Sequence, residues 1–323
     1  MLVRNWFKSV AIAATVAAVG VAGTLASAGT VAHWRFEGGT PGTDVPHAGA
    51  GGAFDGVIAD ASGNGNSLSA WAQGGSAGYG FRADVPYAVT PLNGAPNGVS
   101  IKNTGGNPGM FTNSGASSPS GTNIETMMPT AFTIEASYKP ENGGYRTVVG
   151  RDARNVATVQ GDLAALYLQV RPDNRVGIGF ADAAGNFHEA YSAPGVIQGF
   201  DFGTDPNGLT GTWYNLAGVS DGTTLKMYVN GALVASTPIV SADPRLAIGT
   251  TNGGDWHAGG WSVGRGLYGG GHGDRAYGYI DEVRISDSAL APGQLLGVPE
   301  PATVSLVLTG LCGVALSSRR RHW

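Results

Sequence analysis

Cysteine is nearly absent. Cys312 is the only one in 323 residues, so no disulfide can form within a single chain. Charge is scarce as well. Asp, Glu, Lys and Arg make up 13% of the sequence, about half the usual share. Lys and Arg number 19 against 23 Asp and Glu, and a net charge of −4 leaves no basic patch for nucleic acid. No repeat with a period of roughly 20 to 50 residues is visible, which argues against solenoids and propellers. What abounds is glycine, at 54 residues or roughly twice the average frequency. Low charge with plentiful Gly, Thr, Asn and Ser predicts an all-β protein with many turns and long loops. Without a disulfide to hold those loops, a bound metal is one candidate.

Both ends of the chain read as addresses rather than as parts of a fold. Arg4 and Lys8 precede an apolar, Ala-rich run from Val10 to Leu25, and Ala26-Ser27-Ala28 is a small-x-small pattern. These features predict a secretory signal peptide over residues 1–28, cut after Ala28. At the other end Val298-Pro299-Glu300-Pro301 leads into an uncharged run from Ala302 to Leu316, then Ser317-Ser318 and Arg319, Arg320 and Arg321. The run is short against the roughly 20 residues that cross a bilayer core, but the two serines extend it and arginines snorkel to headgroups. A single membrane helix over 302–318 is expected, with the arginines on the cytoplasmic side. Pro disfavours helix in the residue before it, so the Pro299-Glu300-Pro301 stretch is expected to be extended and accessible.

That tail, residues 297–323, resembles the PEP-CTERM sorting signal: a Pro-Glu-Pro motif, a membrane helix and a terminal arginine cluster. The resemblance implies an exosortase-type processing partner acting near the motif, transient anchoring in the inner membrane, and delivery to the cell surface or extracellular matrix. It supplies an address and not an activity.

Between the ends about 270 residues remain, enough for one large β domain or two small ones. Phe132 to Tyr138 alternates with period two, placing Phe132, Ile134, Ala136 and Tyr138 on one face. Leu166, Leu168 and Val170 alternate with Tyr167, Gln169 and Arg171, and Val176, Ile178 and Phe180 alternate with glycines. Asp173-Asn174 lies between those runs as a turn. Leu225, Met227 and Val229 run into Asn230-Gly231, a strong hairpin signal because both residues tolerate positive φ. Further strands are expected at 31–36, 99–103, 146–150, 213–219, 261–264 and 279–286. The stretch 38–129 has little pattern and reads as long surface loops on the same domain. The fold class expected is all-β, two antiparallel sheets packed face to face. Trp34 and Trp213 are expected in its core.

Several segments also carry a family resemblance. His33-Trp34-Arg35-Phe36-Glu37, the Asp60-Ala61-Ser62-Gly63-Asn64-Gly65-Asn66 loop, the strands from Phe132 and Arg146, the Gly211 to Gly231 hairpin and Ile280 to Ser286 occur in the order seen in LamG-like domains. The chain resembles that concanavalin A-type jelly roll over residues 29–296. In the last of these segments Asp281 falls in phase with Val283 and Ile285, which predicts a carboxylate on the apolar side. Such a group needs a cation or several donors. The resemblance implies a structural Ca2+ joining the first loop to the last strand through Asp60, Asn64 and Asp281, with carbonyl oxygens completing the shell.

Catalytic motifs are weak. Gly218-Val219-Ser220-Asp221-Gly222 matches Gly-x-Ser-x-Gly, but a hairpin follows it rather than the helix that a nucleophile elbow needs. Gly264 to Gly269 matches Gly-x-Gly-x-x-Gly with no helix to cradle a phosphate. The paired carboxylates of a glycosidase are not evident on one strand, and a lyase built on His188 and Tyr191 is the weaker alternative. Binding is the leading reading, because sugar rings stack on aromatic side chains. Trp256 and Tyr268, in the glycine-rich stretch 249–278, are the candidate ligand contacts. The expected function is an exported, non-catalytic module engaging extracellular polysaccharide or other surface components. The alternatives are a polysaccharide-active glycosidase or lyase on the same fold and a structural surface protein with protein partners.

Overall fold

In the computed structural model the described residues are 29–47, 54–72, 78–112, 123–152, 156, 164–249, 259–268 and 271–298. The predicted signal peptide, Ala28, Trp256, and the tail with Pro299, Glu300, Pro301 and Arg319 to Arg321 lie outside them. Among the described residues no helix is long and apolar enough to cross a membrane.

The alternating runs do become strands. The chain forms β1 (Thr30–Trp34), β2 (Phe54–Ile58), β3 (Leu68–Ala72), β4 (Tyr79–Arg82), β5 (Ser100–Asn103) and β6 (Pro108–Phe111), then one helical turn, α1 (Asn123–Thr126). β7 (Phe132–Pro140), β8 (Arg146–Arg151), β9 (Leu166–Val170), β10 (Val176–Ala181) and β11 (Phe187–Tyr191) follow. β12 (Tyr214–Ser220), β13 (Thr224–Val229), β14 (Ala232–Pro238), β15 (Trp261–Val263), β16 (Gly266–Tyr268), β17 (Gly271–Gly273) and β18 (Gly278–Ser286) complete the set. One sheet has the order β14-β13-β12-β7-β18-β5-β4, with β1 added on β18; the other runs β11-β10-β9-β8-β15-β6-β3-β2. Every ladder named in these two sheets is antiparallel. β1 on β18 brings the first and last strands side by side.

The core lies between the sheets. Phe132, Ile134, Ala136 and Tyr138 of β7 meet Leu166, Leu168, Ile178 and Phe180 of the opposite sheet. Phe132 and Phe180 contact edge to face at 5.2 Å. Gly218 of β12 sets the sheet spacing locally, since a Cβ there would come within 2.1 Å of Ile178 Cδ1. Its Gly-x-Ser-x-Gly sequence runs straight into the β12–β13 hairpin, closed at Asp221. The turns behave as read: Asn174 has φ 62°, Asn230 50° and Gly231 78°. Trp34 is fully buried and donates its indole N–H to the Asn66 carbonyl at 2.7 Å. Trp213 is only half-buried; it bonds Asp84 Oδ1 at 2.8 Å and covers Lys139.

Two expectations need correction. The stretch 38–129 is not merely loop, for besides the expected strand at 99–103, found as β5, it supplies β2, β3, β4 and β6 and so belongs to both sheets. The four strands not expected are only four or five residues long, too brief an alternation to stand out among the surrounding glycines. The second correction concerns Asp281. Its pairing with β7 shifts register between Asp281 and Arg284, and Glu282 stands at φ 47°. Ile280 lies opposite Tyr138 and Asp281 opposite Ser137, so Asp281 faces away from the inter-sheet core. A β-bulge adds one residue to the strand, which is why Ile280 and Val283, three apart, both reach the core.

Candidate functional site

A groove of about 330 Å³ opens on the outer face of the second sheet, over β9, β10 and β11. Strand alternation builds it. The leucines of β9, Ile178 and Phe180 of β10, and Ala190 of β11 turn into the core. That leaves Tyr167, Gln169 and Arg171, Gly177 and Gly179, and Phe187, Glu189 and Tyr191 on the other side.

The two glycines make the floor. A Cβ on Gly177 would lie 2.4 Å from Tyr191 Cδ1, and one on Gly179 would lie 3.0 Å from Phe187 Cζ. Only bare backbone in β10 lets the Tyr191 and Phe187 rings lean over it. The Arg171 guanidinium stacks 3.6 Å from the centre of the Tyr191 ring and pairs with Glu189. Phe187 meets Tyr167 edge to face at 6.4 Å. Tyr145, half-exposed, and Asp274 close one end.

A hydrogen-bond relay runs beneath these rings. Tyr191 O–H donates to Gln169 Oε1 at 3.4 Å, and Gln169 Nε2 donates to Asp274 Oδ2 at 3.0 Å and Thr147 Oγ1 at 3.1 Å. Burial pushes the Tyr191 hydroxyl up to about 12, so it stays protonated and able to donate. Burial also raises the Asp274 carboxyl, against the opposing effect of Gln169. The site therefore lines one trough with aromatic rings, the Arg171–Glu189 pair and the Asp274 carboxylate. Those are the groups that meet the apolar faces and hydroxyls of a sugar.

The residues expected from sequence are distributed differently. Tyr268 ends β16, its backbone paired with Gly271 in the two-stranded β16–β17 ribbon. Tyr191 is in the groove, but His188 is not. It turns inward, bonded to Asp182 at 2.8 Å and stacked on Phe180, so the two cannot act together. Asp60 accepts four bonds, from His33 N, Ser62 N, Ser62 Oγ and Asn66 N, at 2.8 to 3.0 Å. Asn64 Nδ2 donates to the carbonyls of Thr30 and Val31 at 2.8 and 3.1 Å. Asp281, fully buried, accepts from Asn97 Nδ2 at 2.9 Å and Glu282 N at 2.8 Å, and burial holds its carboxyl well above the usual range. In this arrangement protein donors face the Asp60 and Asp281 carboxylate oxygens that the resemblance assigns to calcium. Among the described residues no group of three or more His, Cys, Asp or Glu side chains is placed to hold a metal ion. Glu282 at the bulge accepts from His33, Arg35 and Thr90. His33 thus ties β1 to the closing strand through Glu282 and to the first loop through Asp60.

Sequence reasoning passed over Tyr167, Gln169, Phe187, Glu189 and Asp274. The available signal was the outward phase of each strand: aromatic and polar in β9 and β11, glycine in β10.

No curated protein sequence matches the chain. Among solved structures, the botulinum neurotoxin serotype G binding domain matches with 12% identity and a TM-score of 0.46, over 81% of this chain and 49% of that one. The binding domain of botulinum neurotoxin DC in complex with SialylT matches at 8% identity and 0.46, over 82% and 50%. The chain thus spans about half the length of these toxin domains. Domain 4 of an extracellular arabinanase from Geobacillus stearothermophilus, in complex with arabinotriose, matches at 16% identity and 0.47, over 82% of this chain and 95% of that one. A family model covers residues 111–295, more than half of the sequence, and on that match the chain belongs to the concanavalin A-like lectin/glucanases superfamily.

Proposed function

We propose that the groove over β9–β11 binds a sugar of an extracellular polysaccharide, and that the protein is an exported, surface- or matrix-sorted binding module. The observation that carries this reading is the glycine floor that lets Tyr191 lie flat, with Arg171 on its ring and the Gln169–Asp274 pair at its edge. Rigid aromatics flanked by fixed hydrogen-bonding groups bind sugar rings without much ordering entropy. The test is affinity electrophoresis of the purified protein in gels containing the producing cell's own extracellular polysaccharide. Slowed migration, lost in Tyr191→Ala, supports the reading; unchanged migration moves the weight to a protein partner, sought by pull-down without glycan.

A second reading has one observation behind it. Glu189 and Asp274 share the groove, and the Asp274 carboxyl is raised, as a general acid requires. Against it, Glu189 is held in an ion pair with Arg171. Release of reducing or unsaturated ends from the same polysaccharide would establish an enzyme. Export and sorting are part of the proposal, supported by the terminal sequence patterns. Deleting 298–323 is expected to leave the domain folded but mis-sorted, and unchanged surface retention would refute the sorting role.

A further inference from the structure

The groove does not end at Tyr145. A second concavity of about 370 Å³ shares Tyr145 and Asp274 with it and continues past Arg146 to Tyr277. A third, of about 510 Å³, shares Tyr277 with the second and runs to Arg82, Lys102 and Phe202. Three hollows with common walls make one track. From the Gly177 floor it crosses the ends of β8 and β18 to β5 and the edge strand β4 of the other sheet.

Charge changes along the track. In the first hollow Arg171 is balanced by Glu189, leaving Asp274. The second adds Arg146, stacked 4.6 Å from the centre of the Tyr277 ring, and Arg275. The third holds Arg82 and Lys102 against Glu141, whose carboxyl is pushed up by burial. Among the described residues neither Arg82 nor Lys102 lies within ion-pair distance of a carboxylate. Arg82 donates to the carbonyl of Phe81, its own neighbour, at 2.8 Å, and Lys102 donates to the Pro206 carbonyl. Three rings surround the Lys102 ammonium: Tyr279 at 5.2 Å, Phe202 at 5.8 Å and Phe200 at 5.9 Å. Burial, and then the repulsion of Arg82, lower the Lys102 pKa against the opposing pull of Glu141 and Asp205. Asn103, 6% exposed, lines the same hollow and its Nδ2 has no partner. Phe202, 54% exposed, offers a ring face beside the cations.

We infer that the three hollows bind one extended acidic polysaccharide chain, with Arg82 and Lys102 receiving the carboxylate of a uronate residue at the end distant from Tyr191. The inference rests on the sugar-binding reading of the groove and adds the class of its ligand. An aromatic face next to two cations and a spare amide donor suits a ring that carries a carboxylate.

The test is binding of the purified protein to a ladder of galacturonate oligomers and to the same ladder with its carboxyls reduced to neutral sugars. Affinity is expected to rise with length for the acidic ladder, to exceed that for the neutral one, and to fall with salt. Arg82→Gln should lose roughly tenfold for the acidic ladder, the size of one charge-assisted hydrogen bond, and nothing for the neutral one. Arg82→Lys, which keeps the charge, should retain most of the preference. Arg82 is only half-buried and makes a local bond, so these variants fold. Equal binding of the two ladders, with Arg82→Gln silent and Tyr191→Ala defective on both, would overturn the acidic-chain inference and leave the groove reading standing. Binding of neither ladder would overturn both.

Discussion

Arg284 and Glu135 form a buried ion pair on the face of the first sheet away from the core, where the energetics can be worked through. Glu135 is 3% exposed and Arg284 7%. The Arg284 Nε donates to Glu135 Oε2 at 2.6 Å, and its Nη2 donates to the Gln294 carbonyl at 2.7 Å. Glu135 Oε1 accepts the Leu296 N–H at 2.9 Å. The pair therefore clamps the last described segment, with Leu290 and Leu295 packed on Ala217 and Tyr228. Arg284→Met keeps the apolar stem and strands the carboxylate with one donor. Removing one partner of a buried pair costs about 3–5 kcal/mol. At about 2–4 °C per kcal/mol for a domain of this size, the melting temperature should fall by roughly 6–20 °C. Burial already raises the Glu135 carboxyl, with Arg284 the largest opposing influence. Losing Arg284 raises it further. A carboxyl raised in the folded state contributes stability at low pH and loses it as pH rises through its folded value. The deficit of Arg284→Met should therefore be smallest near pH 5 and largest near pH 8, in calorimetric melts across that range. Glu135→Gln combined with Arg284→Met should recover most of the loss, since the amide oxygen still accepts from Leu296. An equal deficit at every pH, or no recovery in the double variant, would refute the reasoning.

The remaining predictions concern the groove and the metal. Tyr191→Ala should leave the melting temperature within a few degrees but weaken polysaccharide binding by about 2 kcal/mol, roughly thirtyfold, read by affinity electrophoresis. Gly177→Val puts a branched side chain where Tyr191 Cδ1 sits 2.4 Å from the first added carbon. It should cost about 1–3 kcal/mol of stability and abolish binding, whereas the same change at a solvent-exposed glycine would not. Calcium at Asp60, Asn64 and Asp281 is a proposal resting on the family resemblance. On that proposal the melting temperature rises with calcium chloride and falls with EGTA, and Asp60→Asn removes the difference; identical melts in both would retire it.

Much of the architecture was legible along the chain. The alternation at 132–138, 166–170, 176–180 and 224–229, with turn residues at Asn174 and Asn230-Gly231, depends on interactions between near neighbours and on backbone preferences each residue carries alone. The strand expected at 99–103 became β5, whereas β2, β3, β4 and β6 were not legible, because four or five residues among glycine-rich loops give too brief an alternation to mark a strand. Nor was the side that Asp281 faces. A one-residue bulge at Glu282 reverses the phase, and the bonds that fix it come from His33, Arg35 and Thr90, far away in sequence. The groove divides the same way. Each of its strands shows its outward residues in the sequence, but Tyr191 lies over Gly177 only because β10 and β11 pair in one register, and Asp274 reaches Gln169 from 105 positions away. Local pattern determined the longer strands and, where no bulge intervenes, which of their side chains share a face. Long-range pairing decided which faces meet, and with them the site.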